Sequence, residues 1–342
     1  MRRTGNLFEK VPTRDNLRLA FSRAIRGKRD RRDVRAFGQD LDRNLSELAR
    51  SILAESLTLG QAVEFTIFDP KQRVITAPCF RERVLHHAIL NVCEPVFETF
   101  LIDDTYACRV GKGRIRALSR AVTFCRRFSH ATKIDMRQYF ASIPHERLQE
   151  LLEKRFKDRR LLRLFENIIG SHSSSTAHGL PIGSLTSQHF ANFYLAWFDR
   201  YVKETLRVRG YLRYMDDCIL WSDSPSSITV ITDACRRFLE EELRLEIRPK
   251  PPRFRVRCGV DLLGCRVFPD RIQLNRHSQS RYRARLRDLD MAFLRGELAE
   301  LELQQRSEAL TAFTMAGGVQ SWKCRQRVLE GLPVSGHGAR TG

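Results

Sequence analysis

The chain has 342 residues, 42% of them apolar and 29% charged, with a formal net charge of +20. That apolar content indicates a globular protein with a real core, and the basic excess points to a polyanionic partner, nucleic acid ahead of an anionic membrane. No run approaches the roughly 20 apolar residues of a membrane span, and the start Met-Arg-Arg-Thr-Gly-Asn lacks the apolar stretch of a signal peptide.

Residues 1 to about 60 read as helical, with Leu41, Leu45, Leu48 and Ile52 at helical spacing. The basic run Arg26-Gly-Lys-Arg-Asp-Arg-Arg before them reads either as a solvated helix end or loop, or as an RNA contact. A hairpin is expected over 63–77, turning at Asp69-Pro70-Lys71-Gln72, and then a helix from Arg81 to about Phe100. The glycine-punctuated basic loop Tyr106-Ala-Cys-Arg-Val-Gly-Lys-Gly-Arg leads into a helix to Phe128. A short β-like run ends at Asp135. Helical patterns at 146–170 are followed by the polar loop Ser171-His-Ser-Ser-Ser-Thr-Ala-His-Gly, and Leu180-Pro-Ile-Gly-Ser-Leu-Thr-Ser-Gln opens a long helix to about Leu206. The run Gly210–Trp221 reads as a buried hairpin and 226–243 as a helix. Leu245-Glu-Ile-Arg-Pro-Lys-Pro-Pro is strand-like, and 261–274 forms a hairpin around Pro269-Asp270. From 278 the pattern is helical, with Tyr282, Leu286, Leu289 and Phe293 on one face and Arg281 and Arg285 on another. The tail from about Pro333 is expected to be disordered. The fold class is α+β. Nine cysteines without a Cys-x-x-Cys pair read as reduced packing residues of a cytoplasmic protein, and the nine histidines show no zinc spacing.

The most informative stretch is Tyr214-Met215-Asp216-Asp217, a pair of carboxylates between two apolar runs. Burying unpaired carboxylates is costly, and divalent metal is the usual compensation; an Asp-Asp at a turn can equally be a solvated turn. Asp135, at the end of a separate strand, supplies a third carboxylate. Two strands each ending in Asp are what a two-metal phosphoryl-transfer site needs, and oxygen ligands favour magnesium or manganese.

The order of these segments resembles a reverse transcriptase over about residues 60–275: basic hairpin, Ile-Asp strand, Leu-Pro-x-Gly-x-x-x-Ser segment, Tyr-Met-Asp-Asp hairpin, lysine loop and Leu-Gly hairpin. The resemblance implies a right-hand polymerase: an N-terminal helical extension (1–60), fingers and palm (61–275), a short helical thumb (276–332) and a tail (333–342). Within the family the chain is most similar to enzymes of diversity-generating retroelements, because Gly179-Leu-Pro-Ile-Gly-Ser-Leu-Thr-Ser-Gln188 carries Ile182-Gly183 and Ser187-Gln188 where most relatives have Gln-Gly and Ser-Pro. Group II intron enzymes continue into a larger maturase region, and retron enzymes carry thumb-side motifs that this chain does not show.

By that resemblance, Asp135, Asp216 and Asp217 match the three catalytic aspartates, with the Met136 carbonyl as a further ligand to two Mg²⁺ ions, for which Mn²⁺ can substitute. Phe140 matches the steric gate against a ribose 2′-hydroxyl. Lys250 matches the lysine that protonates pyrophosphate. Arg73, Arg81 and Arg83 are candidates for the triphosphate of a deoxynucleotide, as are Ile182, Gly183 and Gln188 for the substrate pocket. Arg109, Lys112 and Arg114 are candidates for template contact. Tyr214, Met215 and Gly264, the last in the primer-grip hairpin, belong with the nucleic acid, and Arg281 and Arg285 would follow the duplex minor groove. Isoleucine at 182 cannot hydrogen-bond, so a polar check on the nascent pair is lost and reduced fidelity is expected; the resemblance to diversity-generating enzymes implies that the errors fall at template adenines. Implied partners are a template RNA, a DNA or RNA primer, and a small basic accessory protein oligomer. A faithful retron-like, group II-like or defence-associated enzyme, or an inactive RNA-binding derivative, remain the alternatives.

Overall fold

The computed structural model describes residues 3–68, 72–171 and 177–315. The expected turn at 69–71, most of the polar loop after Ser171, the end of the thumb and the tail lie outside the described residues. In chain order, a 3-10 turn at Phe8–Lys10 precedes α1 (Arg14–Ala24), α2 (Arg32–Gln39) and α3 (Leu41–Leu53). Strands β1 (Ala62–Phe68) and β2 (Gln72–Pro78) come next, then α4 (Phe80–Glu98), α5 (Arg114–Arg127) and β3 (His130–Ile134). Four helices follow: α6 (Tyr139–Ser142), α7 (His145–Glu153), α8 (Arg159–Gly170) and α9 (Leu185–Arg200), the last running into a π-helical turn at Tyr201–Thr205. Then come β4 (Gly210–Tyr214), β5 (Asp217–Ser222), α10 (Pro225–Glu241), β6 (Arg253–Arg255), β7 (Val260–Leu262), β8 (Cys265–Val267) and β9 (Ile272–Leu274). Helices α11 (Arg276–Leu294) and α12 (Glu300–Met315) close the described chain. None of the described helices is long and apolar enough to cross a membrane.

These elements form two units. The first comprises Met1–Arg109, Asp135–Arg207 and Asp233–Pro249. Its centre is α9, whose buried residues point in every direction, as expected of a helix enclosed on all sides. Phe97 of α4 meets Phe193 of α9 and Phe156 with ring centroids 5.3 Å apart in each case, and Phe165 of α8 meets Phe190 at 5.2 Å. Two buried polar groups of α9 find partners: Asn192 donates to the Ala107 carbonyl and the Tyr194 hydroxyl to that of Leu243. Asp158 caps α8 by accepting from the Leu161 N–H. Its other oxygen accepts from the Leu7 and Phe8 N–H groups, so the N-terminal segment is fastened to the same cap. Strands β1 and β2 pair antiparallel from Ala62↔Pro78 to Phe68↔Gln72.

The second unit comprises Val110–Ile134, Val208–Thr232 and the chain from Lys250. It carries an antiparallel sheet in the order β4-β5-β3-β6, against which α5 lays Ala117, Leu118, Ala121 and Phe124. Phe124 stacks near Trp221 with centroids 5.1 Å apart. Gly210 is required here, since a Cβ would stand 2.7 Å from that of Trp221 and 2.8 Å from the Phe128 ring.

Three expectations change. The strand-like run 245–252 yields only a single bridge, Met136↔Ile247, and the regular strand is β6, after the three prolines that cannot donate to a ladder. The hairpin over 261–274 is a three-stranded meander β7-β8-β9, with an extra turn at Leu263-Gly264. The helix expected from Leu180 begins at Leu185, because Pro181 and the positive φ of Gly183 (121°) keep the preceding residues out of the helix, with a turn at Ile182-Gly183.

Burial pulls the His189 imidazole down from 6.5 to about 4, and the charge of His87 adds to the effect. Unfolding frees it to titrate near its ordinary value. As pH falls from about 6.5 towards 4, the unfolded chain therefore takes up a proton that the folded chain refuses, and stability is lost across that window. A melting-temperature series should show this decline, and His189→Asn should decline less steeply between those pH values.

Candidate active site

The hairpin β4–β5 closes through Met215 and Asp216, with Tyr214 paired to Asp217. Met215 takes a left-handed backbone, φ 56°, which a two-residue hairpin turn requires and a methionine adopts only under constraint. The constraint is Arg213, fully buried in β4, whose guanidinium donates to the Met215 carbonyl at 3.0 Å. On the neighbouring strand, β3 pairs with β5 so that Ile134 lies opposite Cys218 and Lys133 opposite Ile219. Lys133 places its Nζ 2.5 Å from the Asp217 carboxylate. The next residue along the chain from Ile134 is Asp135.

Asp135 is half-exposed and paired in turn, 3.0 Å from Arg248 Nε. The main chains are zipped beside that contact: the Arg248 N–H donates to the Asp135 carbonyl, Met136 bridges Ile247, and the Arg137 N–H donates to the Glu246 carbonyl. Among the described residues no group of three or more His, Cys, Asp or Glu side chains stands ready as a metal cage. The carboxylates instead carry side-chain cations. Carboxylate and carbonyl oxygens are the donor chemistry of a hard divalent ion, and the contacts with Lys133 and Arg248 show that the Asp217 and Asp135 carboxylates are reachable by positive charge.

Phe140 sits half-exposed in α6 beside buried Tyr139, with ring centroids 5.6 Å apart. Its carbonyl accepts from the Leu180 N–H at 2.8 Å, and the Ile143 carbonyl accepts from Gly179. The same segment reaches β2, where the Ile182 carbonyl accepts from the Thr76 N–H at 2.8 Å. Gly183 lies so close to β2 that a Cβ would stand 2.7 Å from the Thr76 oxygen. Within this unit, then, Phe140, Ile182 and Gly183 sit along one hydrogen-bonded run. Gln188, one turn into α9, accepts a weak bond from the Cys108 thiol at 3.6 Å.

The basic candidates divide. Arg109 donates to Glu98 and to the Ile102 and Thr105 carbonyls, with its side chain only 9% exposed. Arg81 donates to the Ser51 hydroxyl, and half-buried Arg83 to the Ala24 carbonyl at the end of α1. Burial lowers the Arg83 pKa, with the positive charge of Arg31 acting in the same direction. Arg73 is exposed on β2, and Lys250 is exposed before β6. Arg114 holds the Leu263-Gly264 turn by donating to the Leu263 carbonyl and the Cys265 thiol. That turn puts both residues at positive φ, 51° and 78°, and Gly264 accepts from the Asn275 N–H. Lys112 is half-exposed, as is Arg281 on α11, where Arg285 is exposed. Lys133, Arg213 and Arg248 are what the sequence reading missed. The available signal was a single cation within an otherwise apolar strand run, in His-Ala-Thr-Lys-Ile and Gly-Tyr-Leu-Arg-Tyr.

The chain is 24% identical over 245 residues to the protein YkfC of Escherichia coli K12, a match covering 59% of this chain and 64% of that one. It is 23% identical over 167 residues to an uncharacterized 91 kDa protein in the cob intron of Schizosaccharomyces pombe, covering 46% of this chain and 21% of that one. The chain thus spans less than two thirds of the length of either relative. A solved telomerase of Candida albicans superposes with a TM-score of 0.49 at 11% identity, over 81% of this chain and 58% of that one. Residues 69–267, more than half of the chain and inclusive of Asp135, Asp216 and Asp217, match the family model described as reverse transcriptase (RNA-dependent DNA polymerase), and the chain belongs to that family.

Proposed function

We propose that the protein is an RNA-directed DNA polymerase that copies a retroelement template RNA into cDNA with errors at template adenines, as enzymes of diversity-generating retroelements do. The observation that carries the polymerase reading is the strand pairing within the family-matched region: Asp217 opens β5, Asp216 forms its turn, and Asp135 follows β3, whose Ile134 is paired with Cys218. Asp135, Asp216 and Asp217, with the Met136 carbonyl, would hold two divalent ions, Mg²⁺ or Mn²⁺. Such ions supply charge neutralisation and activation of the primer 3′-hydroxyl. Lys133 and Arg248 orient the carboxylates by pairing with Asp217 and Asp135.

Arg73 is the arginine of the fingers hairpin best placed to grip the triphosphate, because Arg81 and Arg83 are engaged with α3 and α1. Lys250, exposed and between prolines, is the proton donor to pyrophosphate. Tyr214, Met215 and Gly264 lie along the primer, and Lys112, Arg281 and Arg285 contact the nucleic-acid backbone. The domain plan is an N-terminal helical extension to residue 60, fingers and palm over 61–275, and a thumb from 276. A small basic accessory oligomer and a cytoplasmic location complete the reading.

The diversity-generating subtype rests on Ile182 and the Ser187-Gln188 pair. A second reading, a faithful intron-type enzyme, is favoured by the intron-encoded relative. Sequencing cDNA made by the purified protein on a mixed-sequence RNA template separates them: errors concentrated at template adenines, reduced by Ile182→Gln, are expected. Uniform accuracy in the wild type, or an unchanged spectrum in Ile182→Gln, would remove the subtype and leave the intron-type enzyme.

Phe140→Ala should admit ribonucleotides. Loss of a steric clash with the 2′-hydroxyl is worth about 1–3 kcal/mol, or roughly 10- to 200-fold in discrimination, read as the ratio of kcat/KM for dNTP and rNTP. An unchanged ratio would take the gate away from Phe140.

A further inference from the structure

Two residues of α4 one turn apart, Glu82 and His86, are buried at 3% and 0% exposure. The His86 Nε2 lies 3.6 Å from a Glu82 oxygen, and the other Glu82 oxygen accepts from the Gly60 N–H at 3.2 Å. On its opposite edge, His86 Nδ1 is 3.3 Å from the Ser184 hydroxyl, itself 3.0 Å from that of Thr186. Ser184 occupies the position before α9 where a serine ordinarily accepts from a backbone N–H of the first turn. It makes no such bond. Its hydroxyl faces the α4 histidine instead, although capping α9 was the locally available alternative.

The residues just before Ser184 are held from the other side. Ile182 accepts from the Thr76 N–H, and Gly183, at φ 121°, presses against Thr76 and against Ile75, whose Cγ2 would lie 2.9 Å from an added Cβ. The segment 182–184 has no secondary structure of its own. Its backbone is bonded to β2 on one side, and on the other the Ser184 hydroxyl faces His86, whose Nε2 stands beside Glu82.

We infer that Glu82 and His86 are positioning residues that act through Ser184 to fix Ile182 and Gly183 against the incoming nucleotide, so that this buried chain sets substrate affinity and selectivity. The inference rests on the polymerase reading above. An unused cap gives it a sharp consequence: removing the Ser184 hydroxyl releases the segment without uncapping α9. A net hydrogen bond of roughly 0.5–1.5 kcal/mol corresponds to about a two- to tenfold change.

The test is steady-state primer extension on an RNA template with the full chain, measuring dNTP KM, kcat, error frequency and melting temperature. Ser184→Ala should raise KM about two- to tenfold and raise the error frequency, with kcat within about twofold and the melting temperature close to wild type. His86→Asn, which keeps a polar group where Nδ1 stands, should be milder than His86→Ala. An active wild type whose Ser184→Ala variant keeps its KM and error frequency overturns the inference and leaves the polymerase intact. So does a parallel fall in kcat, KM performance and melting temperature in all variants, the mark of a purely structural network. A wild type with no polymerase activity overturns the reading beneath it as well.

Discussion

Asp216 and Asp217 stand half-exposed at the tip of the β4–β5 hairpin, whose strands are buried, and the turn and register of that hairpin decide where the two carboxylates stand. The turn has only two residues, so Met215 must accept a left-handed backbone. Buried Arg213 fixes it through the Met215 carbonyl, and Lys133 reaches across from β3 to Asp217. Both cations depend on register. Lys133 can reach Asp217 because it stands opposite Ile219, two residues along β5, and a slip of one residue would turn it to the other face of the sheet. The apolar residues that hold the register, Ile134, Cys218, Ile219 and Leu220, are therefore as much a condition of the site as the aspartates.

The residues expected to read the substrate face a different problem. Phe140 has a short helix to hold it, but Ile182 and Gly183 lie in a turn between Gly179 and α9. Backbone bonds to Phe140, Ile143 and Thr76 take the place of a ladder, and the glycines supply the close approach that side chains would block.

Much of this was legible in the sequence. The Asp-Asp turn, the β-runs on either side and the strand before Asp135 follow from apolar alternation and turn chemistry, which are local. Helix α9 is also legible from its composition, although not its start, which Pro181 and Gly183 postpone to Leu185. The rest depends on long-range placement. Nothing in the spacing of Arg81, Arg83 and Arg109 reveals that their guanidiniums close on Ser51, Ala24 and Glu98. Arg248 is matched to Asp135, more than a hundred residues away in the chain, by the bridge at Ile247 and the backbone bonds on either side of it. Ser184 carries the signature of a helix cap, and only the packing of α4 shows its hydroxyl turned to His86.

Single-turnover extension of a DNA primer on an RNA template, with Mg²⁺ and each of Asp135→Asn, Asp216→Asn and Asp217→Asn beside the wild type, tests the central claim most directly. The isosteric amides keep the shape of each side chain and remove its charge. The account predicts rapid extension by the wild type and a loss of about a thousandfold or more for Asp135→Asn and Asp216→Asn, with Asp217→Asn also impaired. Extension by Asp135→Asn or Asp216→Asn at close to the wild-type rate would contradict it.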